Sequence, residues 1–286
     1  EYYSVAVGSS AGQLTQGSNS VAVGAEAGSQ SQAQDCVAIG AFAAQLSQNT
    51  NCVAIGSNAG RSNQGSNTSN APFSGYAVAV GTDAGRINQN AFAVAMGYAA
   101  GCQSQGQVTV AVGTQAAQIN QQDRAVAIGY AAGYTGQKAN AVAIGFQSGY
   151  SNQGIDSVAI GHGACANNTG AGVISVGSNA AKDGANNFSV GIGANAGKDG
   201  PAYATVAIGV NAGSNSLGRG GVAIGEGAKK DGDGSTYGTA IGYHAGQVNQ
   251  GPGSVAIGGY QAGCNNQGSY AVAIGQSTGL NNQGNN

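Results

Sequence analysis

The sequence predicts an all-β protein, a parallel β-solenoid (β-roll) of about seventeen 16-residue coils, and three observations carry that reading. First, a four-residue signature, Val-Ala-Val/Ile-Gly in most copies, begins at positions 5, 21, 37, 53, 78, 94, 110, 126, 142, 158, 174, 190, 206, 222, 239, 255 and 272. Thirteen of the intervals are 16 residues, two are 17 and one is 25. Self-similarity at a short fixed period marks coils that stack on their neighbours and cannot fold alone. Second, the signature opens on β-branched residues, which suit a strand, and closes on Gly in every copy. Third, with 53 Gly, no Trp, one Met, 7% charged residues and 41% apolar residues, the composition supplies a thin core of small side chains. It matches neither an ordinary globular interior nor a highly charged disordered chain.

A representative coil starts at Val126. Val126-Ala127-Ile128 reads as a short strand, and Gly129 ends it with a turn that needs positive φ or a contact too close for a Cβ. Ala132-Gly133 follows, as do Ala11-Gly12, Ala59-Gly60 and Ala212-Gly213 in their coils, and reads as a second, tighter bend of small residues. Asn-Gln-Gly, in the copies at Asn63-Gln64-Gly65, Asn152-Gln153-Gly154 and Asn249-Gln250-Gly251, has turn chemistry and closes the coil. The Gln recurs in the first nine coils, from Gln16 through Gln153. Stacked coils lie about 4.8 Å apart, so these amides either bond to one another in a ladder along the axis or stand as solvated turn residues.

The strand is apolar on both faces. The face of Val126 and Ile128 is expected inside the coil, which leaves Ala127 on the opposite face. A strand apolar on both sides is usually covered on both, and a 16-residue coil covers one from within. The remaining face therefore calls for a neighbouring copy, in a parallel homo-oligomer with the strands near a shared axis. The alternative is a monomer exposing a strip of Ala.

Asn140-Ala141-Val142-Ala143-Ile144-Gly145 and Asp156-Ser157-Val158-Ala159-Ile160-Gly161 resemble the head-domain repeats of trimeric autotransporter adhesins and the related repeats of phage and large DNA virus fibre proteins. The resemblance spans essentially the whole chain. It implies a left-handed roll, a homotrimer, a place outside the cell or on the surface of a cell or virion, and a role as a structural or attachment fibre. A host-surface protein or glycan is then the expected partner. The competing class is a self-assembling filament or capsid-associated module without receptor binding.

No linker interrupts the pattern, so residues 1–286 read as one continuous repeat domain, expected to be a piece of a longer array. Its largest irregularity is the insertion at 65–77, where Asn67, Thr68, Pro72, Phe73 and Tyr76 combine aromatic and hydrogen-bonding groups. Insertions in solenoids fall on the surface and often on the binding face, so this loop is the candidate recognition site, a tolerated excursion being the alternative. Between Val158 and Gly238 the turn becomes Lys182-Asp183-Gly184, Lys198-Asp199-Gly200 and Lys230-Asp231-Gly232. These read as a solvated, charge-compensated edge or as a polar binding strip.

A net charge of −2 with nine scattered Lys and Arg speaks against a nucleic-acid partner. No run of about 18 apolar residues suggests a membrane-spanning helix. His162 and His244 lie five coils apart and read as turn residues, and no catalytic set, metal cluster or cofactor motif stands out, so an enzyme is not expected. Cys36 and Cys52 precede the strand Val in adjacent coils, within disulfide reach if stacked, whereas Cys102, Cys165 and Cys264 have no neighbour of that kind. Asn67, Asn167 and Asn187 head Asn-x-Ser/Thr acceptors, which matter if the chain passes through a eukaryotic secretory route.

Overall fold

The structure, a computed structural model, describes residues 3–66, 74–215, 217–231 and 235–285. These residues contain no helix; they form a parallel β-solenoid in two compact units, 1–146 and 147–286. In unit one the strands are β1 (Val5–Val7), β2 (Val21–Val23), β3 (Gln30–Gln32), β4 (Val37–Ile39), β5 (Leu46–Gln48), β6 (Val53–Ile55), β7 (Ser62–Gln64), β8 (Val78–Val80), β9 (Ile87–Gln89), β10 (Val94–Met96), β11 (Gln103–Gln105), β12 (Val110–Val112), β13 (Ile119–Gln121), β14 (Val126–Ile128) and β15 (Val142–Ile144). Unit two contributes β16 (Val158–Ile160), β17 (Ile174–Val176), β18 (Val190–Ile192), β19 (Val206–Ile208), β20 (Val222–Ile224), β21 (Thr239–Tyr243), β22 (Val255–Tyr260) and β23 (Val272–Ile274).

The signature strands pair parallel and in register with their counterparts one coil away, so that Val94 faces Val110, which faces Val126, which faces Val142. Bonds between coils hold the stack, such as Val126 N to Ala141 O (2.9 Å) and Gly145 N to Ile128 O (2.8 Å). Both reasons for the strand-ending Gly operate together. Gly129 has φ 126°, and a Cβ there would lie 2.7 Å from Gly145 O on the next coil. The tighter bend is present too, with Ala132 fully buried and Gly133 at φ 55°.

Two features depart from the sequence reading. The segment read as an Asn-Gln-Gly turn forms a second, six-stranded sheet in unit one, from β3 to β13. Its strands pair through their first and third residues, as in Gln103 with Ile119 and Gln105 with Gln121, while the middle residue is left-handed, as in Asn120 at φ 56°. In unit two the same column makes only isolated bridges, including Ser151 to Asn167 and Asn167 to Asp183. Asn and Ser tolerate the left-handed region, which is why a residue run with turn chemistry still serves a ladder here.

The second departure reverses the expected faces. Ala127, and with it Ala22, Ala38, Ala54, Ala79, Ala95, Ala111 and Ala143, is fully buried inside the coil, packed on the bend alanines such as Ala116 and Ala132. Val126 and Ile128 point outward, and Ile128 is 38% exposed. A 16-residue coil is too narrow for branched side chains at this position, so the methyl group goes in and the larger residues go out. Unit two follows the same plan with Ala207, Ala223, Ala240 and Ala256.

The interior is completed by amides. Gln32, Gln48, Gln64, Gln89, Gln105, Gln121 and Gln137 are fully or almost fully buried. Each Nε2 donates to the carbonyl of a strand-opening Val, for example Gln121 to Val110 O (3.1 Å). Most also donate along the stack: Gln32 to Gln48 Oε1 (3.1 Å), Gln48 to Gln64 (2.9 Å), Gln64 to Gln89 (3.2 Å), Gln105 to Gln121 (3.2 Å) and Gln121 to Gln137 (3.0 Å). The ladder alternative therefore holds. It satisfies most of the amide atoms, which would otherwise cost a few kcal/mol each when buried, but it is interrupted: Gln32 Oε1, Gln105 Oε1 and Gln250 Oε1 are buried without a partner among the described residues. In unit two, Gln250, Gln267 and Gln283 repeat it, while Thr169, Ala185, Pro201 and Leu217 occupy the column between.

Candidate functional site

The most extensive chemical feature is the outward face of the signature strands. Each coil presents two β-branched or apolar residues there, flanking the inward Ala, and the register stacks Val on Val in one column and Val, Met and Ile in the other. Ile39, Ile55, Met96, Ile128, Ile160, Ile174 and Ile192 are each 37–43% exposed. Nine such strands in unit one, about 4.8 Å apart and about 10 Å wide, make a nearly flat apolar face of roughly 400 Å². Unit two carries a face of the same kind on eight strands. The largest apolar patch on an ordinary monomer is about this size and is often functional. Aromatic residues border the columns just beyond the strand Gly: Tyr130 stacks on Phe146 (5.2 Å, 12° between planes) and Tyr243 on Tyr260 (5.5 Å, 13°).

Of the candidate recognition loop, Asn67, Thr68, Pro72 and Phe73 lie outside the described residues. Tyr76 is exposed, sits at φ 57°, and stacks face to face on Phe92 of the next coil (5.3 Å, 3°). The structure ties the base of the insertion into the regular coil, since Gly75 N donates to Gly65 O (2.8 Å) and Val53 N to Ala77 O (2.9 Å).

Cys36 and Cys52 do stack in adjacent coils, but as free, buried thiols and not as a disulfide. Cys36 Sγ donates to Asn49 O (2.8 Å), and Cys52 Sγ accepts from Ala77 N (3.4 Å). These bonds aim the two sulfurs at backbone partners. Burial pushes the Cys36 thiol up to about 11 and the Cys52 thiol up to about 12. Cys102, Cys165 and Cys264 are also free and buried.

Asn167 and Asn187 are both exposed. Asn167 Nδ2, the atom a glycan would join, donates to Asp183 Oδ1 (2.6 Å), and Asn187 Oδ1 accepts from Ala171 N (2.9 Å). Asn67 lies outside the described residues. His162 is exposed, and His244 lies flat on Tyr243 (4.0 Å) over Gly227, where a Cβ would strike its ring. On the Lys-Asp edge, Lys198 approaches Asp199 at 3.9 Å with both side chains less than half exposed, and Asn215 Nδ2 donates to Asp231 Oδ1 (2.7 Å). Among the described residues no group of three or more His, Cys, Asp or Glu is placed to hold a metal ion, and no helix is long and apolar enough to cross a membrane.

One residue escaped the sequence reading. Lys229 is fully buried, with Nζ donating to Ser235 O (3.1 Å) beside Gly238 and the Gln250 amide. It stands at φ 44° where the aligned positions carry Gly, Ala or Cys, such as Gly213 and Gly246. A long cationic side chain in that column was the available signal.

No protein-family model matches the chain, and no curated protein matches it significantly in sequence.

Proposed function

We propose that the protein is a structural or attachment fibre: a left-handed β-roll of which three copies run parallel and share the outward Val/Ile faces, exposed outside the cell or on the surface of a cell or virion. The observation that carries this reading is the outward stripe of in-register β-branched residues. Left in water it is an aggregation-prone surface, and covered by its own copies it is a seam. Each unit's face is roughly half the approximately 800 Å² per partner of a standard interface. Coil type and trimer both follow from the resemblance of the Val-Ala-Ile-Gly repeats to adhesin heads and viral fibres. Partners at the exposed corners would be host-surface proteins or glycans.

The second reading, a filament or capsid-associated strut, draws on the same face and differs in what lies at the ends and corners. Electron microscopy of the native particle or cell surface separates them. Projections with a free distal end support attachment, whereas filaments of unlimited length, or struts enclosed in a shell, would overturn it.

A further inference from the structure

Unit one carries an open cavity of about 520 Å³ on the corner that follows the buried Gln, lined by Ser66, Asn88, Asn90, Ser104, Gln122 and Arg124 among others. Its shape comes from one position of the repeat. Successive coils place Asn49, Gly65, Asn90, Gly106 and Gln122 there, so amide side chains alternate with bare backbone. Gly106 has no room for a side chain, because a Cβ would lie 2.7 Å from Asp123 N. The amides of Asn90 and Gln122 consequently stand two coils apart, about 9.6 Å at the spacing of a sheet, on either side of a notch. That is about the length of a disaccharide.

The lining also selects by charge. Its one acid and one base offset each other and are already engaged, Asp123 Oδ1 accepting from Gln107 N (2.9 Å) and Arg124 Nε donating to Asn140 Oδ1 (2.8 Å). The amides are also engaged, Asn90 Oδ1 accepting from Ser66 Oγ (3.0 Å), Asn88 Oδ1 from Asn63 Nδ2 (2.9 Å) and Gln122 Oε1 from Ala139 N (3.3 Å), but each still carries an NH2 group and a second oxygen lone pair, so the lining can both donate and accept. Their natural complement is a ligand whose groups also do both, namely sugar hydroxyls. Phe92, stacked on Tyr76, lies two residues beyond Asn90, at the coil position that Arg124 occupies two coils on, and is 42% exposed. It stands outside the cavity's lining, so the hydrogen-bonding groups carry the recognition.

We propose that this groove binds a neutral oligosaccharide, with Asn90 and Gln122 gripping successive sugar units and Asn88, Ser66 and Ser104 completing the hydrogen bonds. The proposal rests on the attachment reading for its purpose but not on assembly, since every lining residue comes from one copy.

The test is saturation-transfer NMR of the full chain with neutral β-linked tetrasaccharides, beside a sialylated glycan and an extended Ser/Gly-rich peptide. Neutral sugars should give transfer at their ring protons. Asn90→Ala with Gln122→Ala should weaken binding at least tenfold while circular dichroism and sedimentation stay unchanged, and Asn195→Ala in unit two should do nothing. If the double variant fails to fold, Asn88→Ala, an exposed side chain, should still weaken binding severalfold. Absence of transfer from every neutral sugar, undiminished binding by the variants, or preference for the charged glycan or the peptide would overturn the proposal. A chain that binds sugar as a monomer keeps the groove and loses the seam; a trimer that binds none loses the groove alone.

Discussion

Replacing Gln121 with Leu removes an amide from the middle of the interior ladder while nearly conserving volume. The two N–H groups of the wild-type amide are shared among Val110 O (3.1 Å), Ala125 O (3.2 Å) and Gln137 Oε1 (3.0 Å), and its oxygen accepts from Gln105 Nε2 (3.2 Å). Leu can replace none of these bonds. Gln105 Nε2 keeps its bond to Val94 O (2.9 Å) and Ala125 O still accepts from Val110 N (3.0 Å), so the main losses are the donor to Gln137 Oε1 and the bond to Val110 O. A buried polar group deprived of its partner costs about 1–3 kcal/mol, and relaxation recovers part of the sum, so a loss of about 2–4 kcal/mol is expected. Leu itself is not foreign to this column: Leu217 fills it in unit two, where Pro201 precedes it and no amide needs a partner. Leu217→Gln should therefore also destabilise, by burying an amide beside Pro201. Urea unfolding followed by circular dichroism measures both. A Gln121→Leu protein as stable as wild type within about 0.5 kcal/mol would refute the view that the amide bonds of the ladder stabilise the coil.

Other expectations follow from the reversed faces, the turn glycines and the thiols. Ala127→Glu should unfold the coil at a cost of several kcal/mol, since it buries a carboxylate inside the stack, whereas Ile128→Glu should leave the fold intact by circular dichroism and abolish only assembly. Gly129→Ala should lower the unfolding midpoint, although Ala for Gly ordinarily stabilises a strand, because its Cβ meets Gly145 O and its φ is 126°; an unchanged midpoint would count against the close coil contact. Cys36 and Cys52 should resist alkylation by iodoacetamide in the native protein at pH 8 and react once urea is added. Their folded-state pKa values lie above the unfolded value near 9, so the native state binds more protons between the two. The corresponding stability is fully present below about pH 9 and is lost as pH rises towards 11 for Cys36 and 12 for Cys52, which urea unfolding at pH 8 and pH 11 would detect.

The period, the strand, the strand-ending Gly and the Ala-Gly bend were all legible, because each is a steric demand that recurs at the same place in every coil. The inside and outside of the strand were not. Val126, Ala127 and Ile128 are all apolar, so alternation offers no contrast of polarity, and the decision falls to size at an inward position with room only for a small side chain. For Gln121 the sequence leaves a ladder and a solvated turn equally open, because its burial depends on amides one coil above and below, which no single coil displays. The second sheet was hidden because its strands carry left-handed Asn and Ser at their centres, residues whose local preference is the turn. Lys229 differs again, since one irregular coil breaks a column that the repeat otherwise reserves for small residues. The groove beside Gly106 was invisible to a reading that looked for recognition in the insertion, because it arises from the alternation of Asn90, Gly106 and Gln122 across coils.

Sedimentation equilibrium of the intact chain and of Ile128→Glu tests most directly whether the outward Val/Ile face joins copies of the protein. The wild type should sediment as a single species at three times the 27.5 kDa chain mass, stable to dilution into the low micromolar range, and the variant as a folded monomer. A wild-type species at 27.5 kDa under the same conditions, with the apolar face open to solvent, would contradict it.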